Sequence, residues 1–131
     1  MQNPKRYKLP KQNRLCSLTD IDALFASGKG ALAYPLRALW KPSDKPGVRF
    51  MISVPKKRLR HAVDRVAMRR RIRESYRLLR PDLPEGLNLD LAFVYVAGER
   101  SSYARIHAAV GRLLARLNSE LSEYSEYSEH F

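Results

Sequence analysis

The sequence predicts an α+β fold: a single-domain sandwich in which helices pack on a small central sheet. Three patterns predict it. Apolar residues at helical spacing open and close the chain, β-rich apolar runs lie between them, and a basic stretch with its own helical period separates two of those runs. Elements alternating in this way bury one face of each helix against the sheet. At 131 residues, with 44% hydrophobic and 29% charged residues, the chain has the balance of one globular domain.

Ser17 starts the first helix, and Asp20 three places on completes a capping arrangement. Leu18, Ile21, Leu24 and Phe25 then recur on one face, and Gly28 supplies the stop. A first strand is expected over about Leu32 to Trp40, with Leu36, Ala38 and Trp40 on one face and Arg37 and Leu39 on the other. Ser43-Asp44-Lys45-Pro46-Gly47 is a turn by composition, and Val48 to Val54 forms the next strand. The basic helix begins near His61 and ends by Arg80, because Pro81 disfavours helical geometry in the residue before it. Leu89 to Ala97 is nearly continuous apolar, as in a central strand buried on both faces. Ser101 or Ser102 caps a long last helix carrying Tyr103, Ile106, Val110, Leu113, Leu114 and Leu117 at a 3.6-residue period. The expected order is α-β-β-(β)-α-β-α, the third strand being optional.

Three segments follow from this pass: a basic N-terminal arm over 1–14, a folded domain over 15–118, and an acidic tail over 119–131 built from Ser-Glu-Leu and Ser-Glu-Tyr triplets. The tail is expected to be disordered. A second reading has its acids fold back onto basic residues elsewhere in the chain.

Charge is distributed very unevenly. Between Lys56 and Arg80, eleven basic residues face only Asp64 and Glu74, leaving +9 of the chain's +12 in one fifth of its length. Clustered charge of one sign opposes folding unless a polyanion neutralises it, and a nucleic-acid backbone does so with release of its counterions. On a helical wheel Met68, Ile72, Tyr76 and Leu79 share one arc, while Arg69, Arg73, Arg77 and Arg80, with Arg70 beside them, form the adjacent stripe. Guanidinium groups one turn apart can each take a phosphate in bidentate fashion. A solvated charged face is the competing reading, but such faces interleave Glu with Arg, and this stripe contains no acid. A DNA-binding regulator with this helix in a major groove would call for helix-turn-helix spacing, which the flanking strands do not provide.

Other classes are excluded or unsupported. Cys16 is alone, so no intramolecular disulfide forms and a reducing compartment is expected. His61, His107 and His130 are far apart and no Cys/His pair has zinc-ligand spacing. No metal site and no protein catalytic residue is expected: nothing resembles a P-loop, a nucleophile elbow or an HExxH site, and Asp20, Asp22, Asp64, Asp82 and Asp90 have no telling spacing. No apolar run is long enough for a bilayer, and the start lacks the apolar core of a secretory signal.

The stretch Pro55-Lys56-Lys57-Arg58-Leu59-Arg60-His61-Ala62-Val63-Asp64-Arg65-Val66-Ala67-Met68-Arg69-Arg70-Arg71-Ile72-Arg73-Glu74-Ser75-Tyr76-Arg77 resembles the signature of the protein component of bacterial ribonuclease P. There a strand ends in Ser-Lys-Lys, followed by Ala-Val, Arg-Asn-Arg, Lys-Arg and Arg-Glu/Gln at similar spacing. Asn13-Arg14-Leu15, then Ile21 and Phe25 before Gly28, match the family's first helix, and Val48 to Val54 match the strand before the motif. The resemblance covers about residues 13 to 117. One departure stands out: the family's Arg-Asn-Arg is Arg65-Val66-Ala67 here.

The resemblance implies a cytoplasmic bacterial subunit of an RNA-based endoribonuclease. The protein would be an accessory without catalytic residues, bound to a catalytic RNA that uses Mg²⁺ to remove the 5′ leader of precursor tRNA. It implies a left-handed crossover around the motif helix, against the usual rule. It also implies contacts to RNA from Lys56, Lys57, Arg65, Arg69, Arg70 and Arg73, to which the charge cluster adds Arg58, Arg60 and Arg77. Ile21, Phe25, Arg37 and Trp40 would line the leader cleft, although plain core packing accounts equally well for Ile21 and also fits Phe25 and Trp40. The alternative function is a structural RNA-binding protein of ribosomal type with no role in tRNA processing. No membrane and no protein partner is expected.

Overall fold

A computed structural model describes residues 14–15, 17–83 and 86–129, so residues 1–13 of the expected basic arm lie outside the described residues. Helix α1 (Leu18–Ser27) leads into strands β1 (Lys29–Ala33), β2 (Leu36–Pro42) and β3 (Val48–Ser53). Helix α2 (Ala62–Leu79) and a 3₁₀ turn (Arg80–Asp82) precede β4 (Leu89–Tyr95) and α3 (Tyr103–Glu129). The four strands form one sheet in the order β1-β2-β4-β3. β1/β2 and β2/β4 are antiparallel; β3 and β4 are parallel neighbours joined through α2.

The single strand expected over Leu32 to Trp40 is instead a hairpin. The chain reverses at Tyr34-Pro35, which has a cis peptide bond, and Leu32 ends up opposite Arg37. Pro35 has no N–H to give a ladder, so a continuous strand through it is unfavourable. The expected turn at 43–47 is present, and Gly47 adopts φ 83°, a conformation that costs glycine little.

Each face of the sheet has its own cover. Leu36, Ala38 and Trp40 of β2, Phe50 of β3 and Leu89, Leu91, Phe93 and Tyr95 of β4 pack beneath α2 and α3. From the helices come Met68, Ile72 and Tyr76, and Ile106, Val110, Leu113, Leu114 and Leu117. The opposite face carries a smaller cluster of Leu15, Leu24, Leu39 and Ala92, with Ile21 and Met51 at its margin. β4 is thus covered on both sides, as its sequence predicts.

α1 is capped by the Ser17 hydroxyl, which accepts from the Asp20 amide at 3.4 Å. Only Leu24 of its apolar face is buried, while Leu18 and Phe25 are exposed. The helix stops where Gly28 donates to the Leu24 carbonyl at 2.8 Å; a Cβ at Gly28 would lie 2.5 Å from that oxygen. What fixes α1 on the sheet is a charged network. Arg49, on β3, donates to both carboxylate oxygens of Asp90 at 3.0 Å and to Asp20 at 3.1 Å. Burial disfavours the Arg49 charge, but the two carboxylates outweigh it and raise its pKa above the ordinary value.

α3 continues to Glu129, so the triplets assigned to a disordered tail over 119–131 extend the last helix through most of their length. They contain no Pro or Gly to stop it, and the first of their acids, Glu120, accepts from Arg116 at 3.3 Å across one turn. Among the described residues no helix is long and apolar enough to cross a membrane.

Candidate nucleic-acid interface

The basic segment is built from the sheet outward. β3 ends at Ser53, and Val54 and Leu59 then bury their side chains. Pro55 accepts backbone bonds from Arg58 at 3.0 Å and Leu59 at 3.2 Å, closing a tight turn. With both ends of the turn anchored, Lys56, Lys57, Arg58 and Arg60 are left exposed. Arg65 reaches back from the first turn of α2 to the carbonyls of Leu59 and Arg60, each at 2.9 Å. Its guanidinium therefore holds the loop to the helix.

Packing then sets the rotation of α2. Tyr76 lies between Phe50 and Phe93, with ring centroids 4.6 and 5.6 Å away, and Ile72 and Met68 are fully buried one and two turns earlier. Burial pushes the Tyr76 hydroxyl up to about 12. With that arc fixed inward, Arg69, Arg70 and Arg73 emerge on the flank predicted for them; Arg70 and Arg73 are exposed and Arg69 is half-buried. Among the described residues the side chains of Lys56, Lys57, Arg58, Arg60, Arg69, Arg70 and Arg73 have no hydrogen bond or ion pair.

Arg77 differs. It binds the carboxylate of Glu74, one turn back, through two hydrogen bonds. The bond from Arg77 holds Glu74 below its ordinary pKa. The stripe is thus not free of acid at its C-terminal end, because an i,i+3 carboxylate reaches Arg77 from the adjacent flank. Arg71, on the far side, donates to the Ser101 carbonyl, and Arg100 pairs with Asp64 at 3.6 Å. These contacts join α2 to the β4–α3 connection. Exposed Val66 stands at the start of the stripe, where the resemblance calls for Asn, whereas exposed Val63 keeps the valine of the family's Ala-Val.

The residues expected in a leader cleft divide. Leu39 joins the cluster beneath α1, and Arg37 is on the same face two residues earlier. Ile21 is half-buried at the rim of that cluster, and Phe25 is 47% exposed. Of the expected cleft residues, Ile21, Phe25 and Arg37 share the α1 side of the sheet. Trp40 does not: it is 3% exposed within the core beneath α2 and α3. Strand alternation sends it to the face opposite Arg37 and Leu39, so its assignment to the cleft is corrected to core packing. Exposed Leu32, paired with Arg37 across the hairpin, extends the α1 side, a position that only the hairpin gives it.

A groove of about 190 Å³ opens at the outer edge of β3, lined by Arg14, Leu15, Phe50, Met51, Ile52, Arg69 and Arg73. It brings Arg14, the last residue of the expected basic arm, against the basic helix. Nothing in the linear pattern of Arg14 marks this meeting. It arises because Arg14 bridges to Phe50, with the Leu15 amide donating to the Phe50 carbonyl at 2.9 Å.

Comparison with known proteins agrees with this geometry. The family model described as Ribonuclease P matches residues 9–118. The chain is 31% identical over 125 residues to the ribonuclease P protein component of Porphyromonas gingivalis, covering 89% of this chain and 91% of that one. It is 32% identical over 121 residues to that of Chlorobium phaeobacteroides, covering 79% and 82%. Among solved structures, the Staphylococcus aureus RNase P protein superposes with a TM-score of 0.68 at 18% identity, over 80% of this chain and 94% of that one. The Thermotoga maritima RNase P protein gives 0.67 at 23% identity, over 79% and 96%. A basic helix set between parallel strands, on a fold shared with these proteins and a sequence matched over most of its length, has one reading: the chain belongs to the ribonuclease P protein family.

Proposed function

We propose that this chain is the protein subunit of a bacterial, cytoplasmic ribonuclease P, gripping a catalytic RNA and holding the 5′ leader of precursor tRNA during Mg²⁺-dependent maturation. The observation that carries the proposal is a set of cations on α2 and its preceding loop that have no partner among the described residues: Lys56, Lys57, Arg58, Arg60, Arg69, Arg70 and Arg73. Held on a rigid helix, they meet phosphates with little ordering cost. Arg65 and Arg77, already engaged within the protein, shape this surface more than they bind through it. Ile21, Phe25 and Arg37 offer apolar contact and one cation to a flexible single strand on the α1 side.

The protein's part is binding and positioning. The described residues contain no group of three His, Cys, Asp or Glu suited to a metal, and Asp20 and Asp90 are engaged by Arg49. In this reading the RNA subunit carries the Mg²⁺ and the chemistry. Reconstitution with the cognate ribonuclease P RNA at low Mg²⁺ tests the reading. Leader removal should be restored by the protein, with tighter binding of precursor than of mature tRNA. RNA binding with no stimulation of cleavage and no preference for the leader would instead describe a structural RNA-binding protein.

A further inference from the structure

The groove at the β3 edge sets cations around an apolar recess. Its rim carries three guanidinium groups from distant parts of the sequence, those of Arg14, Arg69 and Arg73, and none has an ion pair or hydrogen bond among the described residues. Its floor is apolar, formed by Leu15, Phe50, Met51 and Ile52. Purely electrostatic contact with a helical RNA backbone needs cations but no apolar recess. A recess of about 190 Å³ is too small for a duplex and large enough to take a single base. The strand edge adds polar groups. Phe50 turns its carbonyl outward to Leu15, so alternation aims the peptide groups of Ile52 out of the same edge.

We propose that this groove seats one unpaired nucleotide of the bound RNA, its phosphates among Arg14, Arg69 and Arg73 and its base against Met51 and Ile52. The inference rests on the ribonuclease P reading above and adds a base contact at the β3 edge to a surface otherwise described through phosphates alone. An acidic peptide would satisfy the arginines but would leave the apolar floor without a matching flat group, so the nucleotide is the better fit.

The test uses the full-length protein with the cognate ribonuclease P RNA, with and without precursor tRNA bearing a leader. Ultraviolet cross-linking, digestion and mass spectrometry should find a single-nucleotide adduct on the peptide that carries Met51 and Ile52. An adduct formed with ribonuclease P RNA alone assigns the nucleotide to that RNA. One that appears only with precursor tRNA assigns it to the leader. An abasic residue at the adducted position should weaken wild-type binding roughly tenfold. The same RNA change should matter much less to an Ile52→Ala variant, while Arg14→Gln should weaken the intact RNA and lower adduct yield. Adducts confined to other peptides, with RNA still bound tightly, overturn the groove and leave the basic-helix reading intact. Loss of RNA binding by the wild-type protein overturns both.

Discussion

Arg73 and Arg77 stand one turn apart on α2, yet they meet different surroundings. Arg73 is exposed beside the β3 groove, whereas Arg77 already shares its charge with Glu74. A charge-assisted contact contributes about 1.5–3 kcal/mol when its partner is ionised, so Arg73→Ala should weaken RNA binding about tenfold or more. Arg77→Ala should cost threefold or less, because the wild-type side chain must first give up Glu74. Fluorescence anisotropy with labelled RNA measures both, and the reverse ranking would show that the pairing with Glu74 does not hold in the complex. Helical spacing placed both residues on one stripe correctly. It did not reveal which of two nearby groups, a phosphate or an i−3 carboxylate, each would choose. Trp40 teaches the same lesson from the other side. Alternation already put it with Leu36 and Ala38, the core face, and the resemblance alone drew it toward the cleft. Trp40→Ala should therefore cost about 3–5 kcal/mol of stability by denaturant unfolding. Trp40→Phe should leave RNA affinity unchanged; a large affinity loss in a stable Trp40→Phe variant would restore Trp40 to the interface.

Elements are held in register by a few contacts that no local pattern announces. Arg49 sits in an apolar strand, and its partners Asp20 and Asp90 lie 29 and 41 residues away. Periodicity reads α1, β3 and β4 separately but cannot read a charge cluster that exists only when the three meet. Removing Arg49 would leave Asp90 buried without its partner, so Arg49→Ala should destabilise the fold by about 3–5 kcal/mol. Chemical denaturation checks this, and a cost below about 1 kcal/mol would mean that water replaces the guanidinium there. The seam between α2 and the sheet has a pH signature. The Tyr76 hydroxyl is pushed up to about 12 by burial, while an unfolded tyrosine ionises near 10. Since the folded state holds this proton more tightly, stability is complete below pH 10 and declines as pH rises toward 12. The decline attributable to Tyr76 is on the order of 3 kcal/mol, and Tyr76→Phe should remove it. An unchanged alkaline transition in Tyr76→Phe would assign the loss to another group. The β1–β2 hairpin was illegible for a simpler reason: Tyr34 and Pro35 interrupt residues that otherwise alternate well, and only Pro35's missing donor marks the reversal.

For the molecule as a whole, the sheet order sets out the chemistry. Placing β4 between β2 and β3 buries the most apolar strand and puts β3 at an edge, so α2 and the segment before α1 both border its free side. The sequence-level reading recovered the α+β class, the element order and the flank on which Arg69, Arg70 and Arg73 emerge. It could not recover the groove, which depends on Arg14 meeting α2 across β3. Nor did it show Arg65 and Arg71 turned toward backbone carbonyls, since side-chain hydrogen bonds follow from loop geometry rather than spacing. The central claim is that guanidinium groups left unpaired by the fold carry RNA binding. The most direct test is the salt dependence of affinity for the cognate ribonuclease P RNA, measured for wild type and for the Arg69→Ala/Arg70→Ala/Arg73→Ala variant. With about six phosphates neutralised, wild-type affinity should fall on the order of a thousandfold between 50 and 200 mM salt. The variant should show a slope shallower by roughly 2 to 3, with its melting temperature unchanged. A flat wild-type response, or a variant with the wild-type slope, would contradict the account.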